Sequence, residues 1–383
     1  LQTAQKNLKR AIDKVVAPTG VAVPSGIIEI PMDTTYQLKA TVTPADAPQG
    51  VIYDVLMGEG CFTISESGLI TPSKVSDLCM IQVKSTEDPN KTAKFMFKIT
   101  EAPAKPAVDM NKLLDNIAAS YADSATHWTV MEMGAYAKAF PDKAKLSDIA
   151  KQNYINLAVN QLLTKKGDYG DLDAAGYDKI ILALTANGID PAQLYPVNSN
   201  TPVSAIAGLN SVTQSTSAWS APYTLAAYQQ KKDASTENYE NTLIKALLDA
   251  QKDDGRWDEF GTIDTTANVI AGLSFYAERA EVAAAIENGI GYLSSKQKDN
   301  GAFDDGQTGQ YAAGINANST AMVIVGLCAA GVNPDTDSRF IKDGKSVLDG
   351  LLSFATTDHS GFSANDPLAT EQGFRALIAA SQV

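Results

Sequence analysis

The sequence has few of the residues that build metal and redox sites. Its 383 residues include only three cysteines and two histidines. Cys61, Cys79 and Cys328 form no CxxC pair and no Cys/His cluster, so we expect no metal and no bound cofactor. A disulfide between Cys61 and Cys79 requires an oxidising environment, and the sequence leaves this pairing open.

The sequence also lacks long apolar runs and an excess of positive charge. No apolar run reaches about 18 residues, so no part of this segment is expected to insert into a membrane. Residues 1–108 contain 11 basic and 11 acidic side chains, whereas the remainder contains 20 basic and 33 acidic ones and carries the whole net charge of −13. An acidic half without a stripe of lysine or arginine repels phosphate backbones and anionic lipids. We therefore expect no nucleic-acid partner.

Residues 21–100 show the alternation of β-strands. In "TYQLKATVT" (35–43) apolar positions alternate with polar ones, and "KFMFKI" (94–99) repeats the alternation. Turn signals such as "TPADAPQG" and "TEDPNK" separate the short runs. This spacing predicts an all-β immunoglobulin-like sandwich.

A Pro/Ala-rich stretch, "EAPAKPA", divides the chain. We predict an N-terminal amphipathic segment over 1–20, the β-sandwich over 21–100, a linker over 101–108 and an all-α region over 109–383. The first segment is charged and has no apolar signal core, so any export signal is expected to have been removed from this chain.

Residues 109–383 contain a repeated pair, a small residue followed by a large one inside an apolar helix. The six pairs are Ala135-Tyr136, Ala183-Leu184, Ala227-Tyr228, Gly272-Leu273, Gly326-Leu327 and Ala376-Leu377. They recur at intervals of 44 to 54 residues, a period typical of helical hairpins. A hairpin buries its apolar face only by stacking on its neighbours, and six hairpins can close a ring. The pattern predicts a C-terminal (α/α)6 toroid of twelve helices, although an open superhelix fits it too.

Several motifs resemble known families. "QKDDGRW" (251–257) and "QKDNGAF" (297–303) resemble the Gln-x-x-x-Gly-x-aromatic repeat of squalene-cyclase and prenyltransferase-type α/α toroids. "NSTAMVIVGLCAAGVNPDTDSRFIKDGKSVLDGLLSF" followed by "LATEQGFRALIA" is similar to toroid domains in surface proteins of Gram-positive bacteria. "YQLKATVTPADA", "CFTISESGLITP" and "CMIQVKST" resemble the group 2 bacterial immunoglobulin-like domain, with Tyr53 where that family carries a core tryptophan. Together the resemblances imply an extracellular, cell-surface protein.

The repeated loop is a structural joint in the toroid family that this chain resembles, and its residue types agree with that role. Glutamine can pair with backbone groups at a helix end, glycine permits a positive φ, and the aromatic residue can anchor neighbouring hairpins. The predicted joint residues are Gln251, Gly255, Trp257, Gln297, Gly301 and Phe303. Two eroded copies retain Phe362 and Tyr169 as the aromatic residue. A calcium or glycan loop is the alternative, although the acids do not follow EF-hand spacing.

The motifs of toroid enzymes are absent. "DYGDLD" (168–173) does not match the Asp-x-Asp-Asp acid of squalene cyclases, and the Asp, Cys and His ligands of zinc prenyltransferases are missing. Polysaccharide lyases on this fold commonly use histidine and tyrosine around a cleft. His127 and His359 lie in the first and last hairpins, which would be neighbours in a closed ring, but each is expected at a helix start or a turn.

Acids and aromatics gather near the starts of the predicted inner helices. Asp178 and Glu371 both lie five residues before a small-large pair, at equivalent positions. They could cap the helices, or they could line a central cavity with their neighbours. The predicted ligand-binding residues are Trp128, Glu132, Asp178, Trp219, Tyr223, Asp264, Asn318, Glu371 and Gln372. If the site is catalytic, Asp178, Glu371 and His127 are the candidates.

These features predict a cell-surface binding or adhesion protein. Its toroid cavity would hold a small molecule or glycan, or the protein would bind another surface protein, in each case without catalysis. A polysaccharide lyase or glycoside hydrolase is the alternative, and a structural stalk is a further one.

Overall fold

The structure is a computed structural model that describes residues 16–32, 34–101, 108–231, 236–259, 261–309, 312–364 and 366–383. The chain divides into two compact units, Leu1–Pro106 and Ala107–Val383. Most of the predicted amphipathic segment (1–20) and of the predicted linker (101–108) lies outside the described residues.

The first unit is built from short β-strands. Its strands are β1 (Gly20–Ala22), β2 (Ile27–Pro31), β3 (Tyr36–Gln37), β4 (Thr41–Thr43), β5 (Val51–Met57), β6 (Phe62–Ile64), β7 (Leu69–Pro72), β8 (Ser76–Ser85) and β9 (Thr92–Thr100). One sheet has the order β2-β9-β8-β5, with β2 parallel to β9, and a second has the order β3-β7-β6. β1 pairs with β4. The predicted β-rich character of this region is confirmed.

One hydrophobic core serves both sheets of this unit, because alternate side chains of each strand point inward. Phe62 on β6 meets Phe97 on β9 edge-on, with 4.9 Å between the ring centroids. Leu38 and Val42 are buried, as the alternation predicts. Cys61 and Cys79 are both free thiols in this structure.

The second unit is helical. Its described residues form twelve α-helices: α1 (Met110–Tyr121), α2 (His127–Ala139), α3 (Asp148–Thr164), α4 (Ala174–Ala186), α5 (Ala205–Asn210), α6 (Ala221–Gln230), α7 (Glu237–Ala250), α8 (Thr262–Leu273), α9 (Ala280–Lys296), α10 (Ala317–Ala329), α11 (Val347–Leu352) and α12 (Pro367–Ala380). Two short strand pairs interrupt them, β10 (Lys166–Gly167) with β11 (Gly170–Asp171) and β12 (Phe303–Asp304) with β13 (Ile315–Asn316). None of the helices within the described ranges is both long and apolar enough to cross a membrane.

The even-numbered helices form a closed inner ring. α2 packs against α4, α4 against α6, α6 against α8, α8 against α10 and α10 against α12, and α12 packs back against α2. Each of the six small-large pairs lies on one of these inner helices. The closure confirms an α/α toroid and excludes an open superhelix.

Small residues let the inner helices approach closely. A Cβ added to Gly272 on α8 would lie 2.6 Å from the backbone of Pro222 on α6. At Gly326 on α10, an added Cβ would lie 2.6 Å from the carbonyl oxygen of Ala267 on α8. These distances are too short for any side chain, so the small member of the pair is required by helix contact rather than by helix propensity.

The repeated loop joins each outer helix to the following hairpin. Gln251 Nε2 donates to the carbonyls of Gly255 at 2.9 Å and Ala285 at 2.8 Å, so one amide links the loop to α9. The sequence analysis expected the amide to pair with a helix end. Ala285 instead lies inside α9. Gln297 makes the matching pair of bonds, to Gly301 and to Phe340. Gly255 and Gly301 have φ values of 90° and 85°, a conformation that glycine accepts readily.

The aromatic residue of each joint is anchored in the same way. Each ring is fully buried, and its backbone N–H donates to a threonine hydroxyl on the next inner helix: Trp257 to Thr266 at 3.0 Å, Phe303 to Thr320 at 3.0 Å and Phe362 to Thr370 at 3.1 Å. The fourth copy differs, because Tyr169 is 98% exposed. Asp168 and Tyr169 form the turn between β10 and β11, where the ring of Tyr169 points outward, while Leu172 is buried just after that turn. The eroded copy therefore retains the aromatic residue but not its buried position.

Candidate functional site

A cavity of about 390 Å³ opens among four of the inner helices, α2, α4, α6 and α12. It is lined by Trp128, Ala175, Asp178, Lys179, Leu182, Trp219, Ser220, Tyr223, Leu368, Glu371, Gln372 and Arg375. Six of the residues selected from the sequence are among them, namely Trp128, Asp178, Trp219, Tyr223, Glu371 and Gln372. Its volume lies near the lower end of the range for ligand pockets, about 300–1,000 Å³.

Asp178 is a buried acid in the wall of this cavity. The Thr224 hydroxyl donates to its Oδ2 at 2.6 Å, while Oδ1 has no hydrogen-bond partner among the described residues. Burial raises the pKa of Asp178 to about 8, only partly opposed by the Thr224 hydrogen bond, so the carboxyl is protonated at neutral pH. A protonated carboxyl can donate one hydrogen bond and accept another.

Asp178 and Glu371 do not cap their helices, although capping was the simpler interpretation of each acid. The caps are Asp173, which accepts from the N–H of Gly176 before α4, and Asp366, which accepts from the N–H of Ala369 before α12. Asp178 and Glu371 lie a full turn further along. Their side chains are therefore available to the cavity.

An ion triad closes the ring at this site. Arg375 on α12 donates to Glu132 Oε1 on α2 through Nη2 at 2.9 Å and Nε at 3.2 Å, and its Nη2 also contacts Glu371 Oε1. Glu132 lies behind Arg375, and it is 1% exposed. Burial raises the pKa of Glu132 well above its usual value, although the charge of Arg375 opposes this. Glu132 and Glu371 thus share one guanidinium across the seam between the last and first hairpins.

Aromatic rings form a second wall of the cavity. The centroids of Trp128 and Tyr223 are 5.9 Å apart, and those of Trp219 and Tyr223 are 6.4 Å apart. Arg375 lies over the Trp128 ring, 4.9 Å from its centroid. The guanidinium therefore holds Trp128 by a cation–π contact while it binds two carboxylates.

Three of the selected residues do not line this cavity, namely Asp264, Asn318 and Glu132, the last of which lies behind Arg375. Asp264, on the first turn of α8, hydrogen-bonds Ser319, and burial raises the pKa of its carboxyl to about 6. Asn318 lies half-buried at the start of α10. Asp264 and Asn318 lie on the α8 and α10 side of the ring. The cavity is off-centre and opens among α2, α4, α6 and α12, so neither residue lines it.

The two histidines do not form a site together. His127 is the first residue of α2, and its Nδ1 lies 2.7 Å from the Tyr154 hydroxyl. His359 lies in a turn, where its Nε2 accepts from the N–H of Asp109 at 3.2 Å. Each therefore occupies the helix start or turn expected from the sequence, and neither lines the 390 Å³ cavity.

Sequence reasoning missed two cations in the cavity wall, Arg375 and Lys179. Arg375 follows Glu371 by four residues, so the two share one face of α12, and this i,i+4 spacing was a usable signal. Lys179 stands beside Asp178 and carried no such signal. Within the described ranges, no group of three or more His, Cys, Asp or Glu side chains could hold a metal ion.

Comparison with known proteins gives distant structural likenesses. No protein-family model matches the chain, and no curated protein matches it. The chain resembles ent-copalyl diphosphate synthase from Streptomyces platensis at 13% identity and a TM-score of 0.43, covering 67% of this chain and 51% of that one. It resembles an unsaturated glucuronyl hydrolase from Streptococcus agalactiae at 12% identity and a TM-score of 0.48, covering 71% of this chain and 89% of that one. It resembles a polysaccharide lyase at 8% identity and a TM-score of 0.41, covering 94% of this chain and 64% of that one.

These likenesses do not assign a function, since all three TM-scores are below 0.5. The chain spans about half the length of the first protein. The fold of the second unit is therefore assigned from its own geometry. It is an α/α toroid with a ligand-sized cavity at the ring seam, lined by polar and aromatic side chains.

Proposed function

We propose that the toroid cavity binds a sugar unit of a glycan. The observation that carries this proposal is the pairing of an aromatic wall, formed by Trp128, Trp219 and Tyr223, with the hydrogen-bonding groups of Asp178 and Gln372. A sugar ring presents apolar C–H faces and polar hydroxyl edges, and such a wall matches both. The Oδ1 atom of Asp178 and the Oε1 atom of Gln372 have no hydrogen-bond partner among the described residues. Each oxygen can therefore accept a hydrogen bond from a sugar hydroxyl.

Binding is better supported than cleavage because Glu371 and Arg375 of the cavity are already engaged with each other. Glu371 is bound to Arg375, and a carboxylate held by a guanidinium is a weak general base. A lyase needs a cation to neutralise the carboxylate of a uronic acid, and Arg375 is already shared by Glu132 and Glu371. Glu371 and Arg375 therefore meet neither requirement in the resting arrangement.

The proposal is tested by screening the full chain against a glycan library for a rise in melting temperature, followed by titration calorimetry. We expect Trp128→Ala to weaken binding by about tenfold, because loss of a stacked ring removes about 0.5–1.5 kcal/mol in addition to the apolar area that it buries. The matched control is Tyr195→Ala, whose ring is 56% exposed and lies outside this cavity. Binding that survives Trp128→Ala unchanged would place the ligand elsewhere.

Hydrolysis of a glycosidic bond is the second candidate, and one observation favours it. Asp178 is protonated at neutral pH and lines the same cavity as Glu371. Asp178 would protonate the departing glycosidic oxygen while water attacks the anomeric carbon, and Glu371, although held by Arg375 at rest, would take the proton of that water. The test is release of reducing ends from any glycan that binds. Loss of this activity in Asp178→Asn, with binding retained, would establish the hydrolase.

We further propose that the β unit is an immunoglobulin-like spacer and that the protein acts outside the cell, at a surface. This rests on the two sheets with a shared core and on the order of the motifs in residues 21–100. A second surface protein is the alternative partner. Beads coated with the full chain should bind glycan-bearing cells and lose that binding with Trp128→Ala. Binding that persists in this variant would favour a protein partner.

A further inference from the structure

A second cavity of about 300 Å³ lies directly beside the first. Ala175 and Lys179 line both cavities. They are four residues apart on α4 and therefore share one face of this helix. Both cavities therefore border the same face of α4, where Ala175 is exposed.

The second cavity contains a polar cluster that is already fixed in position. His127 is 7% exposed, with Nδ1 2.7 Å from the Tyr154 hydroxyl and Nε2 3.6 Å from Asp168 Oδ2. Gln161 Nε2 donates to Asp168 Oδ1 at 2.9 Å. Asp168 is therefore held from two sides by groups on α2 and α3. Such a network fixes the floor of the cavity before any ligand arrives.

Gln161 leaves one strong acceptor unused. Its side chain is 5% exposed, and its Oε1 has no hydrogen-bond partner within the described part of the chain. A buried carbonyl without a partner costs free energy of about 1–3 kcal/mol, and a donor supplied by a ligand would remove this cost. A sugar hydroxyl or amide N–H is such a donor.

An aromatic ring stands at the rim of the same cavity. Tyr169 lies at the tip of the β10–β11 hairpin and is 98% exposed, although it belongs to the cavity lining. The Tyr169 ring is not part of the local core, because Leu172 supplies the core contact next to this two-residue turn. An exposed ring beside buried polar groups is suited to contact one face of a bound sugar.

From these contacts we propose that the ligand is an oligosaccharide that occupies both cavities and crosses α4 at Ala175 and Lys179. The first cavity holds one end of the chain, and the cavity of His127, Gln161 and Tyr169 is a second subsite. This rests on the proposed function and extends it from a sugar unit to a chain. Lys179 makes no ion pair with a described carboxylate, so its ammonium can donate to hydroxyls in either cavity.

The charges of the two cavities select the class of sugar. Asp168, Asp171 and Asp173 line the second cavity, where Lys179 is the one lysine of the lining and Lys166 pairs with Asp171. In the first cavity Arg375 is already paired with Glu132 and Glu371. A uronate or sulfated sugar would therefore meet an excess of carboxylates in the second cavity. The structure favours an uncharged or N-acetylated oligosaccharide.

The experiment is titration calorimetry of the full chain with chito-oligosaccharides and cello-oligosaccharides, each from monosaccharide to hexasaccharide, and with oligogalacturonides as the anionic series. We expect affinity for a neutral series to rise by about tenfold or more once the chain reaches the second cavity, and the anionic series to bind more weakly. Tyr169→Ala and Gln161→Leu should abolish this gain with length while they keep the affinity for the shortest ligand. Tyr195→Ala is the control and should behave as wild type.

The outcomes separate this inference from the proposed function. If short ligands bind but the gain with length is absent, or survives in both Tyr169→Ala and Gln161→Leu, the second subsite is wrong and the proposed function stands. If no member of the series binds, both are wrong. Tyr169→Ala keeps the test decisive if Gln161→Leu fails to fold, because a side chain that is 98% exposed contributes little to folding.

Discussion

Asp178 gives a quantitative test of the cavity electrostatics. The pKa of this carboxyl is raised from 3.8 to about 8 by burial in the folded chain. Between these values the folded state holds a proton that the unfolded state releases, so the toroid becomes less stable as the pH rises. Each pH unit in this window changes the free energy of unfolding by about 1.4 kcal/mol, or about 3 kcal/mol from about pH 5 to pH 7.

Asp178→Asn removes this dependence, because asparagine resembles the protonated carboxyl in shape and does not titrate. Its carbonyl can still accept from the Thr224 hydroxyl. We expect the variant to gain stability over wild type as the pH rises, by about 1.4 kcal/mol per unit, until the gain levels off above about pH 8. The difference between the two proteins isolates one group, because the remaining acids titrate equally in both.

The assay is urea unfolding from pH 5 to pH 9, followed by tryptophan fluorescence. All three tryptophans, Trp128, Trp219 and Trp257, lie in the toroid, so the signal reports that unit alone. Asp190→Asn is the matched control, because the Lys231 hydrogen bond lowers the pKa of Asp190 and no rise with pH is expected there. A stability difference between Asp178→Asn and wild type that stays constant from pH 5 to pH 8 would refute the reasoning.

Three further variants test the core and the seam. Trp257→Ala removes a fully buried ring of the joint and should lower the free energy of unfolding by about 3–5 kcal/mol in urea titrations. Arg375→Met leaves buried Glu132 without its cation and should cost about 3–5 kcal/mol, whereas the double variant with Glu132→Gln should recover most of this loss. Gly255→Ala should cost at least about 1–3 kcal/mol, because φ is +90° and its Cβ would lie 2.3 Å from a backbone oxygen of α9.

Each of these variants has a result that would count against its rationale. Unchanged stability with lost ligand binding in Trp257→Ala would make the loop a binding loop. If the double variant of Arg375 and Glu132 were no more stable than Arg375→Met, the cost would not come from an uncompensated carboxylate. A neutral effect of Gly255→Ala, with Gly309→Ala as a control at an open position of similar φ, would show that the joint can relax.

The sequence predicted the ring because its cause is local and periodic. Close helix contact needs a small residue, and Gly272 and Gly326 lie where neighbouring backbones leave no room for a Cβ. The joints were equally predictable, because each of their features needs a particular residue type. The hydrogen bonds need a glutamine amide, the positive φ needs a glycine and the buried ring needs an aromatic residue. The exposure of Tyr169 was not predictable, because residue type alone does not reveal a two-residue turn whose ring points outward.

The site was only partly predictable, because its contacts are formed between distant hairpins. Trp128 and Glu371 were selected from their positions at helix starts, and the structure brings them into one cavity. The sequence did not show that Arg375 would join Glu132 and Glu371 across the seam, since these partners are up to 243 residues apart. Nor could it show that the cavity is off-centre, which leaves Asp264 and Asn318 outside the lining.

The most direct test of glycan binding is a crystal structure of the full chain soaked with the neutral oligosaccharide that raises its melting temperature most. We expect a sugar ring in the 390 Å³ cavity, in contact with Trp128 or Trp219 and hydrogen-bonded to Asp178 or Gln372. A sugar bound elsewhere, with this cavity unchanged, would contradict the account.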